Sequence, residues 1–129
     1  MIKSYTETTN KRAREMNAEI EQQRDTGLSS VRMTDDLSRG VQKTPFRVSL
    51  DKILDRIETV DYTNPARHPH MTICMVTMKN GFVIIGKSAP ADPENYDQIL
   101  GEQFSYEDAL RQIWPYEAYL LRERMTNGV

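Results

Sequence analysis

The sequence has no second cysteine. Cys74 stands alone, so no intrachain disulfide can form, and the fold must be held by burial and hydrogen bonding, as suits a reducing compartment. No apolar run approaches the ~18 residues of a membrane-crossing helix, and the stretch from Met1 to Glu7 lacks the apolar core of a secretory signal. The expected setting is therefore the cytoplasm, with no membrane partner. Charge of one sign is also scarce. Seventeen basic residues stand against 19 acidic ones, a net of −2, which argues against a broad nucleic-acid or membrane footprint. There is no GxGxxG, no P-loop and no GxSxG nucleophile elbow, so nothing announces a phosphate cradle or an activated serine. No internal repeat or low-complexity tract is present.

What is there is enough for one modest core. The chain has 129 residues, of which 38% are apolar, a length suited to a single domain. Composition changes near residue 45. Residues 1–44 carry only scattered large apolar side chains and read as an N-terminal arm, while residues 45–129 read as an α+β core domain. Within the arm, residues 9–25 have helical character: Thr9 or Asn10 can cap, Ala13, Met16 and Ile20 share one narrow face, and Gly27 ends the run. So thin a stripe is marginal alone. It implies either docking on a partner subunit or a frayed tail. Residues 28–44 read as the least structured stretch, with one short helix around Thr34–Arg39.

The core domain is better specified. Ser49 is a good N-cap, and Leu50, Ile53, Leu54 and Ile57 give the stripe of an amphipathic helix over about residues 50–59. Residues 61–70, with Asn64-Pro65 and His68-Pro69, read as a loop. Met71 to Met78 reads as a strand, Asn80-Gly81 as a type I′ turn, and Phe82 to Ile85 as the returning strand. That turn would set Thr77 opposite Ile84 and Val76 opposite Ile85. Both faces of such a hairpin are apolar, so one should meet the helices and the other the arm or a second subunit. Asp92 with Pro93 starts a short helix that Gly101 ends, and Ser105 opens a long last helix that Pro115 bends. Phe104 is expected to staple onto Ala109. The expected order is helical arm, helix, two-stranded antiparallel hairpin, short helix, then a long Pro-kinked C-terminal helix.

Chemistry-bearing clusters are few. His68, His70 and Cys74 form H-x-H-x₃-C, residue types that hold zinc, but a fourth ligand is missing, and two solvated histidines with one inert strand thiol is the plainer reading. The paired carboxylates Asp92/Glu94 and Glu107-Asp108 stand at expected helix starts, where dipole and capping effects account for them. No catalytic residue, metal or cofactor is expected. Lys11, Arg12, Arg14 and Arg24 are interleaved with Glu15, Glu19 and Glu21, a salt-bridged face more than a nucleic-acid stripe. Glu117 is different. It shares the apolar face of the last helix with Ile113, Trp114 and Leu121, and a carboxylate there must find a donor, such as Arg56, Arg122 or Tyr96, or else anchor a ligand. Trp114, Tyr116 and Tyr119 with Arg122 and Arg124 form an aromatic and basic end that can stack a base and neutralise a phosphate. Core packing by Trp114 and a solvated helix end is the bland alternative.

One combination of residues is distinctive. Thr72-Ile73-Cys74, Lys79-Asn80-Gly81-Phe82, Gly86, Ser88-Ala89, Pro93-Glu94-Asn95-Tyr96, Tyr106-Glu107, Ala109, Ile113-Trp114, Glu117 and Tyr119-Leu120-Leu121-Arg122 resemble the small phage proteins grouped as the Gp-forty-nine-like family of phage N-four, with its gene-sixty-six homologue in phage Sf-six. The sequence departs from that pattern at Pro90, where cysteine is common, at Ala118, where glycine is common, and at His68-Pro69-His70, in place of a Pro-Gly-Thr loop. The resemblance implies a phage gene product made in a bacterial cytoplasm and implies no reaction. The expectation drawn from it is a non-enzymatic accessory protein that antagonises a host process such as an antiviral defence, by sequestering a nucleotide signal or blocking a defence protein. Its candidate ligand-binding residues are Phe82, Ser88, Asn95, Trp114, Glu117, Tyr119 and Arg122. Self-association through the hairpin and the arm is expected with it. The alternatives are a nucleic-acid-associated regulator of phage replication and a minor virion structural protein.

Overall fold

The computed structural model describes residues 28–128. The helical arm over residues 9–25 lies outside them. The first helix, α1, spans Ser29–Gly40. It is twice the short helix expected around Thr34–Arg39, because Leu28 and Val31 are driven fully into the core and draw the first turns with them. Helix α2 spans Leu50–Asp55, and the Ser49 hydroxyl accepts the Lys52 amide as expected of an N-cap. It stops early. Arg56 caps it, and Ile57–Thr63 leaves as a strand, β1, instead of continuing to residue 59. Strands β2, Thr72–Met78, and β3, Val83–Ser88, complete the sheet.

The sheet is antiparallel with order β1-β2-β3, so the expected two-stranded hairpin is three-stranded. The reason is local. Val60 and Tyr62 point inward while Thr59 lies exposed and Asp61 and Thr63 half-exposed, the period-2 alternation of a half-covered strand. Register also differs by one residue from expectation. Thr77 pairs with Val83 and Val76 with Ile84. Gly81 has φ +89° while no non-glycine residue described has positive φ, which rules out the type I′ turn that needs it at Asn80 as well. The Gly81 amide bonds the Met78 carbonyl and the Met78 amide bonds the Phe82 carbonyl, giving a three-residue loop closed by a left-handed glycine. The shift exchanges the faces: Ile84 goes in, and Val83 and Ile85 come out.

The long helix α3 runs Gln98–Thr126 without interruption through Pro115. Two residues that look like punctuation lie inside it. Gly101 does not end a helix; it lets α3 approach β2, since a Cβ there would stand 2.5 Å from Thr72 Oγ1. Ser105 is not a cap. It is buried, and its hydroxyl donates back to the Glu102 carbonyl. The true cap is Asp97, which accepts the Leu100 amide, while Pro93–Asn95 makes only a single 3₁₀ turn capped by Asp92. Phe104 is half-exposed and staples nothing.

Helix α3 covers one face of the sheet. Cys74, Val76, Met78 and Ile84 meet Tyr106, Ala109, Leu110 and Ile113 there, with Leu50, Ile53 and Leu54 of α2 and Val31 of α1 closing the side. The other sheet face carries Ile73, Met75, Val83 and Ile85 and is not covered by any of the described residues. Among those residues no helix is long and apolar enough to cross a membrane.

Candidate functional site

Beyond Glu117 no residue of α3 is buried. The helix overhangs the tip of the β2–β3 hairpin, and a cleft of about 610 Å³ opens between them. Met78, Ile84 and Ile113 form its floor; Phe82, Tyr116 and Leu120 form its walls. The rings of Phe82 and Tyr116 meet edge to face with centroids 5.5 Å apart, a favourable arrangement for aromatic quadrupoles. Lys79 and Asn80 stand at the rim with Tyr119.

The polar groups arrive from three elements. Arg56 caps α2, and its carbonyl accepts the Lys79 amide at 2.9 Å, so one backbone hydrogen bond places two cationic residues side by side. Glu117 enters from α3. Its carboxylate lies 3.1 Å from Arg56 Nε, which answers the need for a donor that its position on an apolar face creates. Arg56 remains half-exposed, so its guanidinium faces the cleft as well as the carboxylate. Asn80 is occupied in the turn, where its side chain accepts the Phe82 amide at 3.0 Å. With two cations and one anion at the opening, the cleft suits a flat apolar group carrying negative charge.

Of the residues singled out from sequence, Phe82, Glu117 and Tyr119 line this cleft together. Trp114 does not; its indole N–H donates to the Val48 carbonyl at 3.2 Å and ties α3 to the entry of α2. Ser88 ends β3, Asn95 sits in the 3₁₀ turn, and Arg122 lies exposed on the last turns of α3. None of these four lines it. Sequence reasoning named Tyr116 beside Tyr119 and Arg56 as a donor for Glu117, but did not reach Lys79 and Asn80 as their neighbours. Lys79-Asn80 has a sufficient explanation as a turn, and only the overhang of α3 brings it opposite the tyrosines.

The histidines and the thiol stay apart from any site. His68 and His70 face each other edge on, 6.0 Å apart, in the β1–β2 loop, and no three His, Cys, Asp or Glu side chains gather for a metal among the described residues. Cys74 is fully buried, and burial, followed by the charge of Asp61, pushes its thiol well above the ordinary range. Tyr62 beside it is raised for the same first reason. Iodoacetamide at pH 8 should therefore leave Cys74 untouched in the native chain and modify it fully in urea. Intact-mass spectrometry reads both states, and rapid native alkylation would contradict the burial.

A buried polar network fixes the far end of α3. The Asn64 amide donates to the Met71 carbonyl at 2.7 Å and to the Tyr96 hydroxyl at 2.8 Å, and Thr72 shares that hydroxyl at 2.9 Å. Gln98 accepts from Tyr96 and donates to the fully buried Glu102 at 2.7 Å. Every donor in this set has a use inside the fold, which makes it a clasp between the β1–β2 loop and α3.

Residues 48–125 match the model of a family described as Phage protein (N4 Gp49/phage Sf6 gene 66). No curated protein and no solved structure matches the chain.

Proposed function

The chain belongs to the phage protein (N4 Gp49/phage Sf6 gene 66) family, and from that membership we propose a non-enzymatic accessory protein that captures a nucleotide-like ligand in the cleft beside Glu117. It would act in the cytoplasm of the infected host and antagonise a host process there, such as a nucleotide-signalled defence. The observation that carries the reading is the cleft itself: aromatic side chains Phe82, Tyr116 and Tyr119 with Arg56 and Lys79 at one opening. A base stacks on the rings, and an anionic group meets the cations. The non-enzymatic part rests on Glu117. Its carboxylate is engaged by Arg56, and among the described residues no histidine, cysteine or second carboxylate lines the cleft beside it to complete a catalytic set. Met75, Val83 and Ile85 on the outer sheet face support a second copy as a further partner.

A thermal-melt panel of mono-, di- and cyclic nucleotides tests this. At least one should raise the melting temperature of the wild-type chain. Phe82→Ala and Tyr119→Ala, both at exposed positions, should each weaken that ligand by roughly 5- to 150-fold, the worth of one stacking contact at ~1–3 kcal/mol. Lys79→Ala should weaken it and flatten its salt dependence. A panel that moves nothing would remove the nucleotide reading.

A further inference from the structure

The fold uses only part of Glu117. Its side chain is 10% exposed, and its one partner among the described residues is Arg56, whose Nε lies 3.1 Å from Oε2. A carboxylate only accepts, and it offers about four acceptor sites. Arg56 takes one of them. Buried acceptors find partners, and the cleft that Glu117 lines is where the others can be met. A ligand in the cleft has to bring hydrogen-bond donors to this point.

The neighbours narrow what those donors can be. Arg56 and Lys79 share the lining, and they repel an ammonium or guanidinium group brought beside them. The donors are then neutral N–H groups. Phe82 and Tyr116 supply aromatic walls, which suit a planar heterocycle with its edge turned to the carboxylate. Of the common bases, guanine alone sets two N–H donors side by side, the ring N1–H and the 2-amino group, at the spacing of two carboxylate oxygens. Adenine and cytosine place a ring-nitrogen lone pair beside their amino group. Uracil has a carbonyl oxygen on each side of its single N–H. Those lone pairs would face the carboxylate with like charge.

We propose that Glu117 is a specificity residue and that the cleft selects a guanine nucleotide, with the base edge held by Glu117 and the phosphate by Lys79. The inference rests on the nucleotide reading of the cleft given above. The charges agree with it, since Arg56 and Lys79 against Glu117 leave one net positive charge for the phosphate. Arg56 positions the carboxylate through their ion pair. Any other base leaves Glu117 buried without its donors, and an unmet buried acceptor discriminates more sharply than a lost apolar contact.

Titration calorimetry of the full-length chain with GMP, IMP and AMP tests the assignment, because the three share ribose and phosphate and differ only in the base. GMP should bind roughly 5- to 150-fold more tightly than AMP, the discrimination of one bidentate base contact. IMP keeps the N1–H, lacks the 2-amino group and should fall between them. Glu117→Gln presents one donor and one acceptor, the pattern that reads adenine, so the preference for GMP over AMP should vanish or reverse. A loosened fold would weaken both ligands and leave their ratio alone, and the wild-type comparison stands whether or not the variant folds. Equal affinity of the wild-type chain for GMP and AMP would overturn the proposal and leave the nucleotide reading in place. An unchanged ratio in the folded variant would overturn it as well. So would failure of all three to bind; the wider reading falls only if the di- and cyclic nucleotides fail too.

Discussion

Gly86→Ala is expected to destabilise the fold by about 3 kcal/mol or more, at the upper end of what an inserted methyl does in a packed core. Gly86 lies on the buried face of β3, opposite Cys74. An added Cβ would meet the Ser105 carbonyl oxygen and stand 2.6 Å from the Ala109 amide nitrogen. Both are backbone atoms in the middle of α3, so no side-chain rotation relieves the contact. The sheet and the helix must move apart, and the layer of Cys74, Val76, Ala109 and Leu110 between them loses its packing. For a chain of this size the melting temperature should fall by on the order of 10 °C or more. Denaturant unfolding measures it. An unchanged midpoint would mean that α3 does not lie this close to β3.

The second large effect is expected at Asp35. This carboxylate sits on α1, yet it is only 1% exposed. It accepts Arg47 Nη1 at 2.7 Å, Arg39 Nη2 at 3.1 Å and the Leu50 amide at 3.1 Å, with Arg32 Nη1 at 3.9 Å. Arg32 and Arg47 are themselves mostly buried, at 11% and 14% exposed. One carboxylate therefore joins α1, the loop after it and the first turn of α2. Asp35→Ala leaves the guanidinium groups and the Leu50 amide without their shared acceptor. The expected loss is about 3–5 kcal/mol, the range for removing one partner of a buried ion pair. Asp35→Asn keeps one acceptor oxygen and should fall between the two. Because the group is buried, added salt should change the effect little. A loss under about 1 kcal/mol, the size of an exposed pair, would show that the hub is solvated in solution.

Much of the fold is readable from residue pattern, and the failures have definite causes. Ser49, Asp92 and the Asn80-Gly81 turn stand where local chemistry puts them. Strand β1 was hidden because Ile57 completes the helical stripe of Leu50, Ile53 and Leu54 as well as it begins a strand. The hairpin register slipped because asparagine-glycine serves two loop types, and only the φ of Gly81 alone being positive distinguishes them. Gly101 and Ser105 have the residue types of helix ends, but Gly101 gives α3 its close approach to Thr72 and Ser105 is buried with its hydroxyl bonded back into the same helix. The cleft follows the same division. Phe82, Glu117 and Tyr119 could be chosen by residue type and face. Arg56 could be named as a donor for Glu117, but its place beside Lys79 could not, because the hydrogen bond that sets them together depends on the β1–β2 pairing.

The site and the stability determinants are separable. Gly86 and Asp35 hold the layers together, and neither lines the cleft. Phe82, Tyr119 and Lys79 line it from the exposed tip of the hairpin and the overhang of α3, where substitution should leave the fold intact. The proposed binding can therefore be tested by substitution without unfolding the chain.

Amide chemical-shift mapping of the labelled full-length chain against a nucleotide that raises its melting temperature is the most direct measurement. A capture cleft predicts shifts concentrated at Lys79, Asn80, Phe82, Tyr116, Glu117 and Tyr119, with the nucleotide recovered chemically unchanged after prolonged incubation. Shifts centred elsewhere, or conversion of the nucleotide to product, would contradict it.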